Sequence, residues 1–411
     1  MMHVSKYCKS IRRLRAGRDV RLGLAMSFAM ALSYPATGVT LSEGLQLHGF
    51  ASQAVVYTTD NNFFGETDDS GSLDFSELGL NASYAPVPNL LVVGQVISRH
   101  AGATDDGEAA LDYGFIDSRF AASDKGYWGG RFGRIKVPLG LFNDVRGVPL
   151  ARPGILLPQS IYFERTRNLA ASADGVVLYG EQAWPWTTAL LEFGIAEPII
   201  DAINTEPALL GADRPGNLQD RISFQGRLML KSYDERIRLA VSSVQANMDY
   251  QPGTADPLAA GKIRFTPWIF SLQYDAARWG FTGEYARRRF SYSDFGPALP
   301  NMEVVGKSRY AQFDYRPAPR WQFFTRYDVL NTDEDDEDGE SYAAGSGLPA
   351  HTRYAKDFTL GVRWDPYPYL FLRAEWHKVN GTAWLPIIEN PDLFARTKDW
   401  QLFTMLVSFH F

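Results

Sequence analysis

The chain has 411 residues, 45% hydrophobic and 21% charged, with 36 glycines, 10 Trp, 20 Tyr, 26 Phe and one cysteine. So much glycine and aromatic side chain excludes a disordered or coiled-coil protein. A mean hydropathy of -0.22 and the lack of any 18-residue apolar run exclude a bundle of membrane helices. Neither excludes a membrane barrel, whose strands are apolar only at alternate positions.

In chain order, seven basic residues (Lys6, Lys9, Arg12, Arg13, Arg15, Arg18 and Arg21) precede an apolar stretch from Leu22 to Leu32, and small residues follow to Gly38. A basic region, a short apolar core and a small-residue exit read as a secretory signal peptide over residues 1–38. About 11 apolar residues are too few for a spanning helix, which needs about 20. Removing the leader leaves 34 basic against 46 acidic residues and takes away Cys8, so the exported part, 39–411, is acidic and has no thiol or disulfide chemistry.

From Leu45 onward the dominant signal has period two. In Trp400 to Phe411 the positions Phe403, Met405, Val407, Phe409 and Phe411 are apolar, while Thr404, Ser408 and His410 alternate with them. The same alternation runs through Trp321 to Val329, Phe358 to Asp365, Leu370 to Trp376, Ile222 to Lys231 and Arg236 to Val244. A soluble sandwich would alternate in this way too, but two features speak against one. Aromatic residues mark strand ends (Tyr84, Trp128, Trp268, Tyr274, Trp279, Tyr285, Tyr315, Trp321, Trp364, Trp376, Trp400), where a barrel in lipid carries its interfacial girdles. The connections also alternate in length. Seven turn-forming segments, 85–89, 123–126, 182–186, 232–235, 275–278, 317–319 and 366–368, are separated by eight longer polar ones. These lie at 58–72, 100–109, 137–173, 197–219, 248–260, 292–305, 331–355 and 381–398. Seven turns and eight loops join about 16 strands with both ends on the short-turn side. The expectation is an all-β, transmembrane antiparallel β-barrel with short periplasmic turns and long extracellular loops.

The leader, the cysteine-free mature chain, the strand count and the closing FTMLVSFHF resemble the Gram-negative outer-membrane porins. The resemblance implies an outer-membrane location and a homotrimer. It also implies contacts with lipid and lipopolysaccharide, a third loop folded inward, and a C-terminal signal (Phe403, Met405, Val407, Phe409, Phe411) read by the barrel-assembly machinery. Arginine in the third loop is similar to the anion-type porins.

A barrel of this size leaves an aqueous lumen, so function reduces to what lines its narrowest part. The candidate constriction is 137–173 with the strand before it, carrying Arg131, Arg134, Lys136, Asp144, Arg146, Arg152, Glu164, Arg165 and Arg167: seven bases against two acids. Pinning of the loop to acidic wall groups is the plainer role for these arginines. Taking the apolar face of each strand as outward puts Arg119, Arg221, Arg227, Arg236, Arg238, Arg288, Arg326, Arg363 and Arg373 on the lumen wall. Asp117, Glu192, Glu284, Asp314, Asp328, Asp365 and Glu375 face them. The planar, permanently charged guanidinium suits carboxylate and phosphate. The expected function is passive diffusion of small hydrophilic solutes with a weak anion preference; the alternative is a closed or loop-plugged barrel with an adhesin or structural role.

Remaining signals add no chemistry. The acidic run from Asp333 to Glu340 has Gly339 one place out of register for a calcium loop and reads as a solvated segment. Arg287 and Arg289 flank Arg288 near an outer strand end, within reach of lipid phosphates. Six scattered histidines and the absence of hydrolase, metalloprotease or phosphate-loop motifs give no enzyme, no metal and no cofactor. An acidic exported chain gives no nucleic-acid partner.

Overall fold

The computed structural model describes residues 38–411 except 43, 201–203 and 213, so most of the expected leader lies outside the described residues. Seventeen strands follow in order: β1 (Val39–Ser42), β2 (Leu45–Thr58), β3 (Ser72–Val87), β4 (Leu90–Ala101), β5 (Asp106–Ser123) and β6 (Gly126–Lys136) come first. After a long loop come β7 (Ser172–Ala183), β8 (Thr187–Pro198), β9 (Asn217–Ser232), β10 (Ile237–Gln251), β11 (Gly261–Asp275) and β12 (Trp279–Ser293). The last five are β13 (Met302–Ala318), β14 (Trp321–Asn331), β15 (Tyr354–Tyr367), β16 (Leu370–Gly381) and β17 (Asp399–His410).

Strands β2 to β17 pair antiparallel, each with the next, and β17 closes on β2 with Leu402 opposite Thr58 and His410 opposite Phe50. The seam continues to the last residue, because Phe411 and Gly49 exchange both backbone hydrogen bonds. β1 folds back onto Leu45–Leu47 of β2, beyond the stretch that β17 covers. The result is a closed sixteen-strand barrel with no open edge of its own, the form a sheet must take in lipid. Among the described residues no helix is long and apolar enough to cross a membrane.

All seven expected turns join consecutive strands on one end, and the outer connections span 59–71, 102–105, 137–171, 199–216, 252–260, 294–301, 332–353 and 382–398. The second of them is only four residues long, because β4 and β5 continue beyond the apolar alternation and take up residues expected in a loop.

Alternation decides which side chains meet lipid. On β17 Phe403 and Met405 are exposed while Leu402, Thr404 and Leu406 are buried. Val176, Leu178, Phe193, Ile195, Phe224 and Phe270 continue the exposed apolar band around the barrel. Near the short turns Trp321 stacks on Trp364, with ring centroids 5.6 Å apart; toward the loops Tyr57 meets Phe403 at 6.3 Å. Met405, 62% exposed and halfway along β17, gives a direct test: Met405→Arg is expected to cost about 2–4 kcal/mol, the depth-dependent cost of arginine at the lipid face. Thr404→Ser, on the opposite face, is expected to leave the unfolding midpoint in lipid bilayers unchanged.

Three sequence expectations are corrected. Trp400 is no girdle residue: it shares the inner face with Leu402 and Leu406, is 2% exposed, and packs on Trp384 at 5.1 Å. Arg221 and Arg236 do not line the lumen. A register shift at Gln245/Asn247 of β10 accompanies a change of face toward the loops, leaving Arg221 exposed and paired with Asp249 at 2.7 Å; Arg236 lies in a turn beside Asp234. The inner wall is also less polar than alternation suggests. Phe63, Phe64, Trp384 and Leu385 from the first and last outer loops, with Ile155 and Leu156, pack on inward residues such as Phe75, Leu330, Val379 and Leu406. Outer loops therefore fill part of the lumen with apolar side chains.

The acidic run is a local scaffold. Asp336 accepts the N–H groups of Ser341 and Tyr342 before a short helix, Glu340–Ser346, while Glu334 and Glu337 reach Lys307 at 3.8 and 3.6 Å.

Candidate functional site: the inward third loop

The third loop leaves β6 at Val137 and turns at Gly140, whose φ of +63° suits glycine; a Cβ there would also lie 2.3 Å from the Tyr162 hydroxyl. Two short 3-10 turns follow, Asn143–Val145 and Pro149–Ala151, and helix α1 (Arg167–Ala171) leads back into β7. Asn143, fully buried, holds the two ends together by donating to Val137 O at 2.8 Å and Ala170 O at 2.6 Å. Loop length alone did not point to it.

Between these ends the loop crosses the lumen, and the wall receives its backbone with complementary charges. Arginines donate to loop carbonyls. Arg227 reaches Gly140 O (3.3 Å), Arg363 reaches Leu150 O (3.2 Å) and Arg326 reaches Leu156 O (3.3 Å). Arg373 donates to Pro149 O, Gly154 O and Arg152 O at 3.0, 2.9 and 2.7 Å. Carboxylates accept loop N–H groups. Glu284 takes Leu141 at 3.0 Å and the Tyr162 hydroxyl at 2.6 Å, and Asp328 takes Ser160 at 3.2 Å. Glu375 takes both Ile155 and, at 3.2 Å, Leu156. A backbone segment taken out of water must find such partners, and charged ones bind it most strongly.

Side-chain pairs add to this. Glu164 meets Arg99 of β4 at 2.6 Å, Arg146 at 3.5 Å and Arg167 at 3.7 Å, all nearly inaccessible to solvent. Burial alone would raise its carboxyl; Arg99, Arg167, Arg146 and Arg152 overcome this and hold it at about 2. Arg152 pairs with Glu77 of β3, and Asp144 with Arg227 of β9 at 2.7 Å. The loop is thus tied to β3, β4, β9, β10, β12, β14, β15 and β16, with Ser242 of β10 accepting from Gly140 N at 2.8 Å.

The remaining candidate residues divide by position. Arg131 faces inward, bound to Asp117 (3.0 Å) and Glu192 (3.3 Å). Arg119 lies over the Tyr127 ring at 4.7 Å, and Arg238 meets Gln273 at 3.3 Å. Lys136 is buried against Asp112. Arg134 is a correction: it shares the outward face of β6 with Trp128 and Phe132 and pairs with Asp174 at 2.8 Å on the outer surface. The period-two face continues there past the apolar band, where charged pairs replace apolar ones. Arg165 lies over Phe163 without an ion pair to any described residue. His377 is a further inward residue that sequence reasoning omitted, although it stands two places from Glu375 on the same face. Its Nδ1 is 2.8 Å from Asp357 and its Nε2 3.2 Å from Glu375.

The barrel is matched by solved structures at low sequence identity. An anion-selective porin from Comamonas acidovorans superposes with a TM-score of 0.56 at 12% identity, covering 89% of this chain and 99% of that one. Salmonella typhi OmpF gives 0.56 at 14%, covering 91% and 100%. The trimer form of OmpT, an outer membrane protein of Vibrio cholerae, gives 0.55 at 11%, covering 89% and 99%. The chain has the porin fold. No family model and no curated protein matches the sequence, so the likeness lies in the porin architecture, and function has to be argued from the lumen.

Proposed function

We propose that this porin-type barrel is a passive diffusion channel of the outer membrane for small hydrophilic solutes, with a weak anion preference, and not an enzyme. The observation that carries the reading is the third loop: a segment fixed across the lumen by wall charges narrows a pore without depending on the barrel's own width. Most basic residues of the loop and of β6 before it are paired, Arg152 with Glu77, Lys136 with Asp112, Arg131 with Asp117 and Glu192, and Arg146 and Arg167 with Glu164, which is why the preference is weak rather than strong. Export through a cleaved leader, recognition of the C-terminal strand ending in Phe411 by the assembly machinery, contacts with lipopolysaccharide, and trimer formation belong to the same proposal. The trimer form of the similar Vibrio cholerae barrel supports the last of these.

The apolar packing of outer loops inside the lumen favours a second reading, a plugged barrel acting through its exterior. Swelling of liposomes containing the purified protein separates the two. Uptake that falls steeply with the size of neutral sugars is expected for the channel, and no uptake of even the smallest sugar for the plugged barrel.

A further inference from the structure

Beside the third loop lies a partly open cavity of about 360 Å³, lined by the loop, β11 to β13, helix α2 (Thr205–Leu210) of the fourth outer loop, and Thr332 and Arg353 of the seventh. That size falls within the range of small-molecule sites. Its body is apolar. Leu139, Ile161, Leu209 and the ring pair Phe265–Phe290, stacked at 4.4 Å, form much of the lining. Its charges have one sign: Arg146, Arg165, Arg288 and Arg353 border it, and no acidic residue does among the described residues.

Arg146 pairs with Glu164 at 3.5 Å; Arg288 donates to Asn331 O at 3.2 Å, and Arg353 lies over the Tyr342 ring at 4.6 Å, but neither of these contacts supplies a counter-charge. Arg165 and Arg353 form no ion pair with any described residue, and their Nε atoms, like that of Arg288, are buried without a hydrogen-bond partner. Arg165 and Arg288 lie against the same Phe163 ring, at 5.4 and 4.8 Å from its centroid, which keeps the two cations close to one another. Burial, with Arg396 and Arg353 nearby, lowers the Arg165 guanidinium to about 10, so it stays charged at neutral pH. Arg288 is buried and Arg165 and Arg353 are half-buried; cations withdrawn from water without a counter-charge are costly, and here they border an apolar chamber beside the proposed path.

We infer that this cavity binds a small soluble carboxylate carried on an aromatic or short hydrocarbon body, its carboxylate between Arg165, Arg288 and Arg353 and its body against the Phe265–Phe290 pair. The fork of each guanidinium fits two carboxylate oxygens, and the apolar lining selects against fully hydrated anions such as chloride or acetate. The inference deepens the channel reading by naming a solute class, and it rests on that reading only for the idea that the bound solute goes on to cross.

The test is calorimetric titration of the whole protein, purified in a detergent with an uncharged headgroup, with naphthalene-2-carboxylate, its neutral amide, acetate and octadecanoate. Saturable binding of the naphthalene carboxylate is expected, with the amide and acetate roughly tenfold weaker or more, the loss of one charge-assisted hydrogen bond. Arg165→Gln and Arg353→Gln are each expected to weaken the carboxylate by a similar factor while leaving the amide and the far-ultraviolet spectrum unchanged. Equal binding of carboxylate and amide, no saturable binding, or variants that bind as well as the parent would overturn the site. Binding of octadecanoate alone would do the same, placing a lipid there. Conductance of the same preparation reports separately on the channel: a conducting protein that binds no carboxylate loses the site and keeps the channel.

Discussion

Glu164→Gln is expected to release the middle of the third loop. The carboxylate is shared by Arg99, Arg146 and Arg167, so removing its charge leaves three buried cations without their common partner. Breaking a buried pair from one side costs about 3–5 kcal/mol, more than a loop of this kind recovers by repacking. Limited trypsin digestion of the folded barrel is the measurement: cleavage after Arg146, Arg165 or Arg167 is expected in the variant and protection in the parent; Arg152 precedes Pro153 and is not a trypsin site. Glu108→Gln, an exposed carboxylate on β5, serves as the control and is expected to stay protected. A variant as resistant as the parent would remove Glu164 from the anchoring.

The same carboxylate sets a pH window. Docking holds Glu164 at about 2 against an ordinary value of 4.5, so its contribution is complete above about pH 4.5 and is lost as pH falls toward 2. The parent is therefore expected to resist an acid-active protease at pH 5 and to become cleavable within the loop only as the pH approaches 2. In Glu164→Gln that dependence is expected to vanish. Opening of the parent loop near pH 6 would contradict the assignment.

Glu375→Ala has the second large effect. One carboxylate accepts Ile155 N and Leu156 N at the loop's far side and meets Nε2 of His377, so the substitution strips two backbone donors and a histidine of their acceptor. At about 1.5–3 kcal/mol for each hydrogen bond to a charged group, the far anchorage drops by several kcal/mol. The loop remains fixed at its root by Asn143, so the expected phenotype is a folded barrel with larger and noisier single-channel steps. Glu375→Gln, which keeps an acceptor oxygen, is expected to fall between parent and alanine. Unchanged step size in the alanine variant would mean that the far side of the loop does not limit flow.

The fold was written plainly in the sequence because its rule is local. Each strand announces itself through alternate apolar residues, as in Phe403 and Met405, and each turn through a break of three to five residues in that alternation. The lumen was only half legible. Arg227, Arg326, Arg363 and Arg373 lie on the face that alternation gives them, yet nothing local says that their partners are loop carbonyls; Arg373 and Pro149 are more than 200 residues apart. Arg134 and Arg221 were misplaced because charged residues also occupy the outward face once a strand rises beyond the apolar band. Trp400 failed for the opposite reason, an inner face made apolar by loops that fold in. The shared role of Glu164 depends on Arg99, 65 residues away, and period-two reasoning carries no distance information across the barrel.

The most direct test of the central claim, that the third loop is the constriction of an open channel, is the single-channel conductance of the purified protein in planar bilayers under a salt gradient. Discrete steps are expected, with a reversal potential displaced modestly toward that of chloride, and larger steps in Glu375→Ala. A silent parent whose Glu375→Ala variant conducts would contradict it, because the loop would then be a plug and the barrel's role would lie on its outer surface.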